Sequence, residues 1–308
     1  MTLSIVFPGQ GSQAVGMMSD LAASHSIVKE LFVEASDVLG TDLWAMTQEG
    51  PIEQLSQTEN TQPALLTAGV AAWRVWQSLG GAAPSMMAGH SLGEYTALVS
   101  AGAISFADGV ALVRDRGRYM QDAVPAGEGG MAAIIGLEDD QVREVCASAA
   151  QGDVLQAVNF NAPGQVVIAG SAAAIERALV MMKDAGARRA LPLPVSIPAH
   201  SSLMSSASAR LAERISTIEI TVPEIPVIHN YSVTVAENVA AIASNLVSQL
   251  DSPVRWVESV QAMHAQGADQ FIESGPGRVL GGMIKRIVSG VEIACIEKAD
   301  AYEALIQA

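Results

Sequence analysis

A parallel-sheet α/β fold carrying a smaller β-α-β-β-α-β unit is what this sequence predicts, and three observations carry the expectation. Short apolar runs, loops and helical patterns alternate along most of the chain, the signature of a parallel sheet. One such junction is Gly89-His90-Ser91-Leu92-Gly93, a G-x-S-x-G turn between an apolar run and a helical pattern. The stretch from 131 to about 195 keeps a rhythm of its own, with two strand patterns meeting at a Pro-Gly turn between two amphipathic helical patterns.

The composition bounds the class. The chain has 308 residues, half of them apolar and 16% charged, which suits a compact enzyme-sized body. The start, Met1-Thr2-Leu3-Ser4-Ile5-Val6-Phe7, lacks the basic region and long apolar run of a secretion signal. No apolar run reaches the length of a membrane span. A net charge of −15 argues against general nucleic-acid binding and is read as a solubility charge. Cys146 and Cys295 each have apolar neighbours, so two buried thiols and a reducing, cytoplasmic setting are expected.

Taken in order, residues 3–7 form a buried strand followed by the Gly-rich loop Pro8-Gly9-Gln10-Gly11-Ser12-Gln13. Helical patterns cover 27–38, 62–79 and 106–122, with a short strand at 84–88 entering the serine turn. The glycines on either side of the turn allow close backbone approach, and the helix after it offers N–H groups to a developing oxyanion. Glu94 falls in that helix's first turn, where the dipole favours an acid. Strands at 131–137, 154–159, 165–169 and 189–193 and helices at 140–150 and 172–185 then give the order β-α-β-β-α-β, a ferredoxin-like split unit. Pro192 and Pro194 cannot donate to a ladder, so the last strand must lie at an edge or end early. Past 197, helical patterns return (one at 257–266), with buried strands at 225–229 and 270–273.

A nucleophilic serine needs a base, and five histidines offer one. His90 adjoins Ser91 but projects elsewhere, His25 lies in a polar stretch, and His229 ends a buried strand beside Asn230. His264 lies in a helical pattern, where a lone histidine is most often structural. His200 stands in a loop entering a helix, after Pro198-Ala199, and position favours it over His264. No strand-ending Asp completes a triad; a backbone carbonyl would fix the tautomer equally well. Gly9-Gln10-Gly11-Ser12-Gln13-Ala14 fits the loose dinucleotide pattern G-x-G-x-x-A, and fits equally a loop that presents an N–H to an oxyanion. Within 110–120, Leu112, Val113, Arg116, Gly117 and Met120 share a stripe, while Arg114 and Arg118 lie on another. Arg116 therefore points with the apolar face and needs an anion, either an internal carboxylate or that of a substrate.

Together, Phe7-Pro8-Gly9-Gln10-Gly11-Ser12-Gln13, Gly89-His90-Ser91-Leu92-Gly93-Glu94-Tyr95, Arg116-Gly117, Asn159-Phe160-Asn161-Ala162-Pro163-Gly164-Gln165, Pro198-Ala199-His200-Ser201 and Gly275-Pro276-Gly277 resemble the malonyl-CoA:acyl-carrier-protein transacylase family over essentially the whole chain. With nothing flanking these motifs, the chain is similar to the free-standing bacterial fatty-acid-synthesis type. The resemblance implies an α/β-hydrolase-like core (1–127 and 197–308) with a ferredoxin-like subdomain (128–196). It implies Ser91 as nucleophile, His200 as base, the N–H groups of Gln10 and Leu92 as oxyanion hole, and Arg116 as clamp for the malonyl carboxylate, with Arg118 the next candidate. The backbone carbonyl of Gln249 would orient the histidine. Malonyl-CoA is the implied substrate and the phosphopantetheine of acyl carrier protein the acceptor, with no bound cofactor, no metal, no nucleic acid or membrane, and a monomer expected. Arg188, Arg189, Lys285 and Arg286 are the candidate docking patch for an acidic carrier. A serine esterase or thioesterase would share Ser91 and His200. A non-catalytic carrier-docking protein and a dinucleotide-dependent oxidoreductase complete the alternatives.

Overall fold

The computed structural model describes residues 2–306 and contains two sheets. The larger is built from β1 (Leu3–Phe7), β2 (Met86–Gly89), β7 (Val227–Ile228), β8 (Gln270–Ser274) and β9 (Glu292–Ile296), in the order β7-β2-β1-β8-β9, every pair parallel. The smaller holds β3 (Gly129–Ile135), β4 (Leu155–Ala162), β5 (Gln165–Ser171) and β6 (Arg189–Pro192), in the order β4-β5-β3-β6 and antiparallel throughout. That order is the one a β-α-β-β-α-β unit adopts when both helices cover one face.

β1 lies centrally in the parallel sheet and is buried on both faces, which is why it reads as a continuous apolar run. Ile5 and Phe7 point into the main core with Leu66 and Leu98, on the side of the helices Thr58–Ser78, Leu92–Ser100 and Phe106–Ala123. Val6 and Ala88 face the opposite way, onto Trp256, Val260 and Phe271. In the smaller sheet, Ala132, Ile134, Val166 and Ile168 pack under the helices Asp139–Ala150 and Ala172–Asp184. The other face carries Met131, Val158, Val167 and Ala169 toward the segment with Leu193, Val195 and Ala199.

Most expected elements are present, with shifts that have local causes. The expected strand at 225–229 is reduced to Val227–Ile228, because Pro226 has no N–H for the ladder. The helix expected from 62 starts at Thr58 and holds Pro63 inside it, where the missing N–H leaves the Glu59 carbonyl without its helical donor. β4 runs three residues beyond its expected end, so the turn before β5 is only Pro163-Gly164. β6 is an edge strand ending at Pro192, as its prolines require. Cys146 is buried but Cys295 only half-buried, a correction to the expectation of two buried thiols. Burial pushes both thiols up to about 12. Among the described residues no helix is long and apolar enough to cross a membrane.

Candidate active site

The β2-to-helix junction is a strained elbow. Ser91 has φ 53° and ψ −108°, and the helix begins at Leu92. A Cβ on Gly89 would lie 1.8 Å from the Gly93 carbonyl carbon, and one on Gly93 would lie 2.1 Å from the Phe7 oxygen. Only glycine at both positions lets strand and helix meet so closely. Asn230, just after β7, staples the elbow: its Nδ2 donates to the Gly89 carbonyl at 2.7 Å and its Oδ1 accepts from Ser91 N–H at 2.8 Å.

His200 meets Ser91 from the far side of the sequence. Its Nε2 lies 2.7 Å from Ser91 Oγ, and its Nδ1 lies 2.7 Å from the Gln249 carbonyl. A carbonyl can only accept, so Nδ1 carries the hydrogen and Nε2 is left bare to accept from the serine hydroxyl. Gln249 is in the last turn of the helix Val239–Asp251, whose final carbonyls have no partner inside the helix. His200 satisfies two of them, because its backbone N–H also donates to Leu250 O at 3.1 Å. The imidazole thus faces the negative end of one helix, while Ser91 sits at the positive end of another.

Arg116 is 1% exposed, yet no carboxylate among the described residues lies within ion-pair distance of it. Its Nη1 donates to Gln62 Oε1 at 2.8 Å, and its Nη2 to Gln249 Oε1 at 3.1 Å and Ser91 Oγ at 3.3 Å. Its Nε is buried without a partner among the described residues. The guanidinium stacks 5.1 Å from the centre of the Tyr95 ring. Gly117 brings it there, since a Cβ at 117 would come within 2.8 Å of Thr58 O and Glu59 Cα. Of the two charge partners the sequence left open for Arg116, the internal carboxylate is therefore absent among the described residues. Arg118 points outward and pairs with Glu59 at 2.7 Å.

Ser91, His200 and Arg116 share a cavity of about 670 Å³ with Gln10, Gly11, Leu92, Met120, Met131 and Val167 among its walls, so it lies between the two sheets. Neither Gln10 N–H nor Leu92 N–H donates a hydrogen bond within the described chain. No helix opens directly after Gly9–Gln13, since the first begins at Ser19. Gly9 instead backs onto His90, whose carbonyl would lie 2.5 Å from a Cβ. The dinucleotide geometry, with a phosphate on a helix start, is thus missing there. Among the described residues no cluster of three or more His, Cys, Asp or Glu is placed to hold a metal.

The remaining histidines have other duties. His90 Nε2 meets Asn161 Oδ1 at 2.7 Å and its ring packs edge-on to Trp256. His264 Nδ1 donates to Ala268 O at 2.8 Å, and His25 is half-buried near Tyr302. His229 Nδ1 donates to Glu94 Oε1 at 2.7 Å. Arg188 and Arg286 flank one hairpin: Arg188 packs on Gly136, whose N–H donates to Gly164 O, and Arg286 donates to Pro163 O and Gln165 Oε1 at 2.6 Å each. Arg189 and Lys285, beside them in sequence, are exposed.

Burial, and after it the Arg116 charge, pull the His200 pKa from its ordinary 6.5 down to about 3. Below pH 6.5 the unfolded chain therefore binds a proton that the folded chain refuses. The contribution of His200 to stability therefore falls as pH drops from 6.5 toward 3, and His90, lowered chiefly by burial, adds to it, while the raised carboxyls of Asp139 and Glu273 work in the opposite sense. We expect the melting temperature to decline across this window and less steeply for His200→Asn. Parallel declines would show that His200 takes up its proton in the folded state as well.

Comparison with known proteins covers the whole length. Residues 5–296 match the family model described as the acyl transferase domain. The malonyl CoA-acyl carrier protein transacylase of Escherichia coli (strain K12) is 55% identical over 304 residues, 99% of this chain and 98% of its own. The protein of the same name from Bacillus subtilis (strain 168) is 43% identical over 306 residues, covering 99% and 96%. Among solved structures, an acyl carrier protein S-malonyltransferase from Vibrio cholerae superposes with a TM-score of 0.96 at 56% identity, over 99% of this chain and 100% of that one. A malonyl-transacylase in complex with its type II PKS acyl-carrier protein gives 0.98 at 51%, over 100% and 99%. On sequence and fold alike, the chain belongs to the acyl transferase family and, within it, to the malonyl-CoA:acyl-carrier-protein transacylases.

Proposed function

We propose that this enzyme moves a malonyl group from malonyl-CoA to the phosphopantetheine thiol of acyl carrier protein, through an ester on Ser91, and so supplies fatty acid synthesis. The observation that carries the reading is Arg116, a buried cation with no carboxylate partner among the described residues, whose Nη2 lies 3.3 Å from Ser91 Oγ. A malonyl thioester has its carbonyl carbon two bonds from a carboxylate carbon. Its anion can meet the guanidinium while its carbonyl meets the serine.

The steps follow from the hydrogen bonds. His200 Nε2 takes the Ser91 proton as Oγ attacks the thioester carbonyl. The oxyanion is received by the N–H groups of Gln10 and Leu92, each contributing about 3 kcal/mol at the transition state. The carbon–sulfur bond breaks, the coenzyme A sulfur leaves with the proton from His200, and the malonyl-serine ester remains. The carrier's thiol then gives its proton to His200, attacks the ester, and releases Ser91 with that proton. No group beyond the two substrates is needed for these steps. The parts work as a catalytic core of 1–127 with 197–308, closed on one side by the subdomain 128–196, in a cytoplasmic monomer.

The basic surface around the hairpin at 163–165, with Arg188, Arg189, Lys285 and Arg286, is the carrier's landing site on this reading. An Arg189→Ala/Lys285→Ala double variant is expected to raise the KM for carrier protein about tenfold with Ser91 acylation by malonyl-CoA unchanged. Unimpaired transfer would remove the patch.

The function is tested by intact-protein mass spectrometry after brief exposure to malonyl-CoA. A malonyl adduct that requires Ser91 and is discharged faster by carrier thiol than by water is the expected result. No adduct, with free malonate accumulating, would make the protein a thioesterase using the same serine and histidine.

A further inference from the structure

Glu94 is fully buried in the first turn of the helix Leu92–Ser100, three residues past Ser91. It contacts neither Ser91 Oγ nor the His200 ring among the hydrogen bonds of the site. Its favourable place near a helix N-terminus gives no reason for burial, since an exposed acid would serve the dipole as well. Burying a carboxylate is costly unless donors surround it. Here Oε1 accepts from His229 Nδ1 at 2.7 Å, and Oε2 accepts from the Asn230 backbone N–H and from Gln249 Nε2, both at 2.9 Å. Among the described residues His229 is its only ionisable partner within ion-pair distance.

The consequence falls on Gln249. Its Nε2 donates to Glu94 Oε2 and to the Ser91 carbonyl, both at 2.9 Å, while its Oε1 accepts from Arg116 Nη2 at 3.1 Å. The two ends of an amide have almost the same shape, so only neighbours decide which way it points. Acceptors on one side and a guanidinium on the other make the choice here. An uncharged amide at position 94 could present its own NH₂, and Gln249 could then turn its NH₂ toward Arg116. The guanidinium would lose an acceptor and face a donor.

The geometry points to Glu94 as a positioning residue that acts through the Gln249 side chain to hold Arg116 where a substrate carboxylate meets it, and so sets the preference for malonyl over neutral acyl thioesters. This rests on the function proposed above. Gln249 thereby serves the site twice, orienting His200 through its backbone and Arg116 through its amide.

The test compares acylation of Ser91 by malonyl-CoA and acetyl-CoA, with rates expressed per serine that can be labelled. Glu94→Gln is expected to lower the malonyl-to-acetyl ratio of kcat/KM about tenfold, chiefly by raising the KM for malonyl-CoA. Glu94→Asp, which keeps an acceptor, recovers part of the ratio. In a Gln249→Met background, Glu94→Gln moves the ratio by less than about twofold, because the intermediary is gone. A purely structural Glu94 would change how many serines can be labelled and leave the ratio alone. A ratio in Glu94→Gln within about twofold of wild type overturns the inference, as does a full further loss in the Gln249→Met background. If Glu94→Gln does not fold, Gln249→Met alone decides: an unchanged ratio overturns the inference and a comparable fall upholds it. A wild-type protein that takes no malonyl group overturns the proposed function itself.

Discussion

On the proposed function, His200→Asn is expected to lower the rate of Ser91 acylation by about 10³–10⁴-fold while the protein stays folded. The size follows from what the imidazole supplies: an acceptor 2.7 Å from Oγ whose tautomer is fixed by the Gln249 carbonyl. Asparagine is the informative replacement because His200 has φ 64°, a left-handed backbone that asparagine tolerates and alanine resists. Alanine would mix a folding defect with the chemical one. With asparagine the side chain is too short to reach Oγ, and nothing else within the hydrogen bonds of the site can take the proton. Single-turnover acylation by malonyl-CoA, with circular dichroism to check the fold, measures the effect. A loss below tenfold would mean that another group or bulk water serves as base, and His90, the other histidine in the cavity wall, would be the next residue to replace.

The parts of this molecule that sequence makes legible are those with a local period or a local constraint. The parallel core and the smaller unit follow from apolar runs and amphipathic patterns, because each is repeated over enough residues to stand above chance. Ser91 is legible because Gly89 and Gly93 are demanded by backbone contacts within the same turn. Arg116 is legible because a charge on an apolar stripe violates the pattern around it, and its 1% exposure follows. The polar network behind them is not local. Gln62 reaches Arg116 across 54 positions, Asn161 reaches His90 across 71, Asn230 reaches Ser91 across 139, and Gln249 reaches Glu94 across 155. No spacing rule joins such partners. Their one trace is that Gln62 and Gln249 occupy buried positions on largely apolar helical faces, which they share with Thr61 and Asn245 respectively. Glu94 was masked by a sufficient local explanation, the helix dipole, which accounts for an acid there and not for its complete burial. The loop after β1 shows the reverse difficulty: its glycines fit two motifs, and only the absence of a helix directly behind it separates them.

On the proposed function, Arg116→Met is expected to abolish most of the preference for malonyl-CoA, lowering its kcat/KM about 10²–10³-fold, while acetyl-CoA loses far less or gains. Methionine fills similar space without charge, so the change isolates the ionic contact from the cavity. In the wild type the guanidinium meets neutral oxygens of Gln62, Gln249 and Ser91, and its Nε has no partner. Burial pushes its pKa down from the usual arginine value, as desolvation of a charged group does. On the proposed function a malonyl carboxylate would offset the cost of that burial, and an acetyl group, with only a methyl at the same place, would not. The same reasoning fixes the sign of a second readout. Removing a buried cation that lacks a carboxylate should leave the melting temperature unchanged or raise it, whereas breaking a closed ion pair would lower it sharply. Discrimination kept at the wild-type level would mean that the malonyl carboxylate is bound elsewhere in the cavity. Discrimination lost together with a large drop in melting temperature would mean that Arg116 holds the fold, with selectivity following from the fold alone.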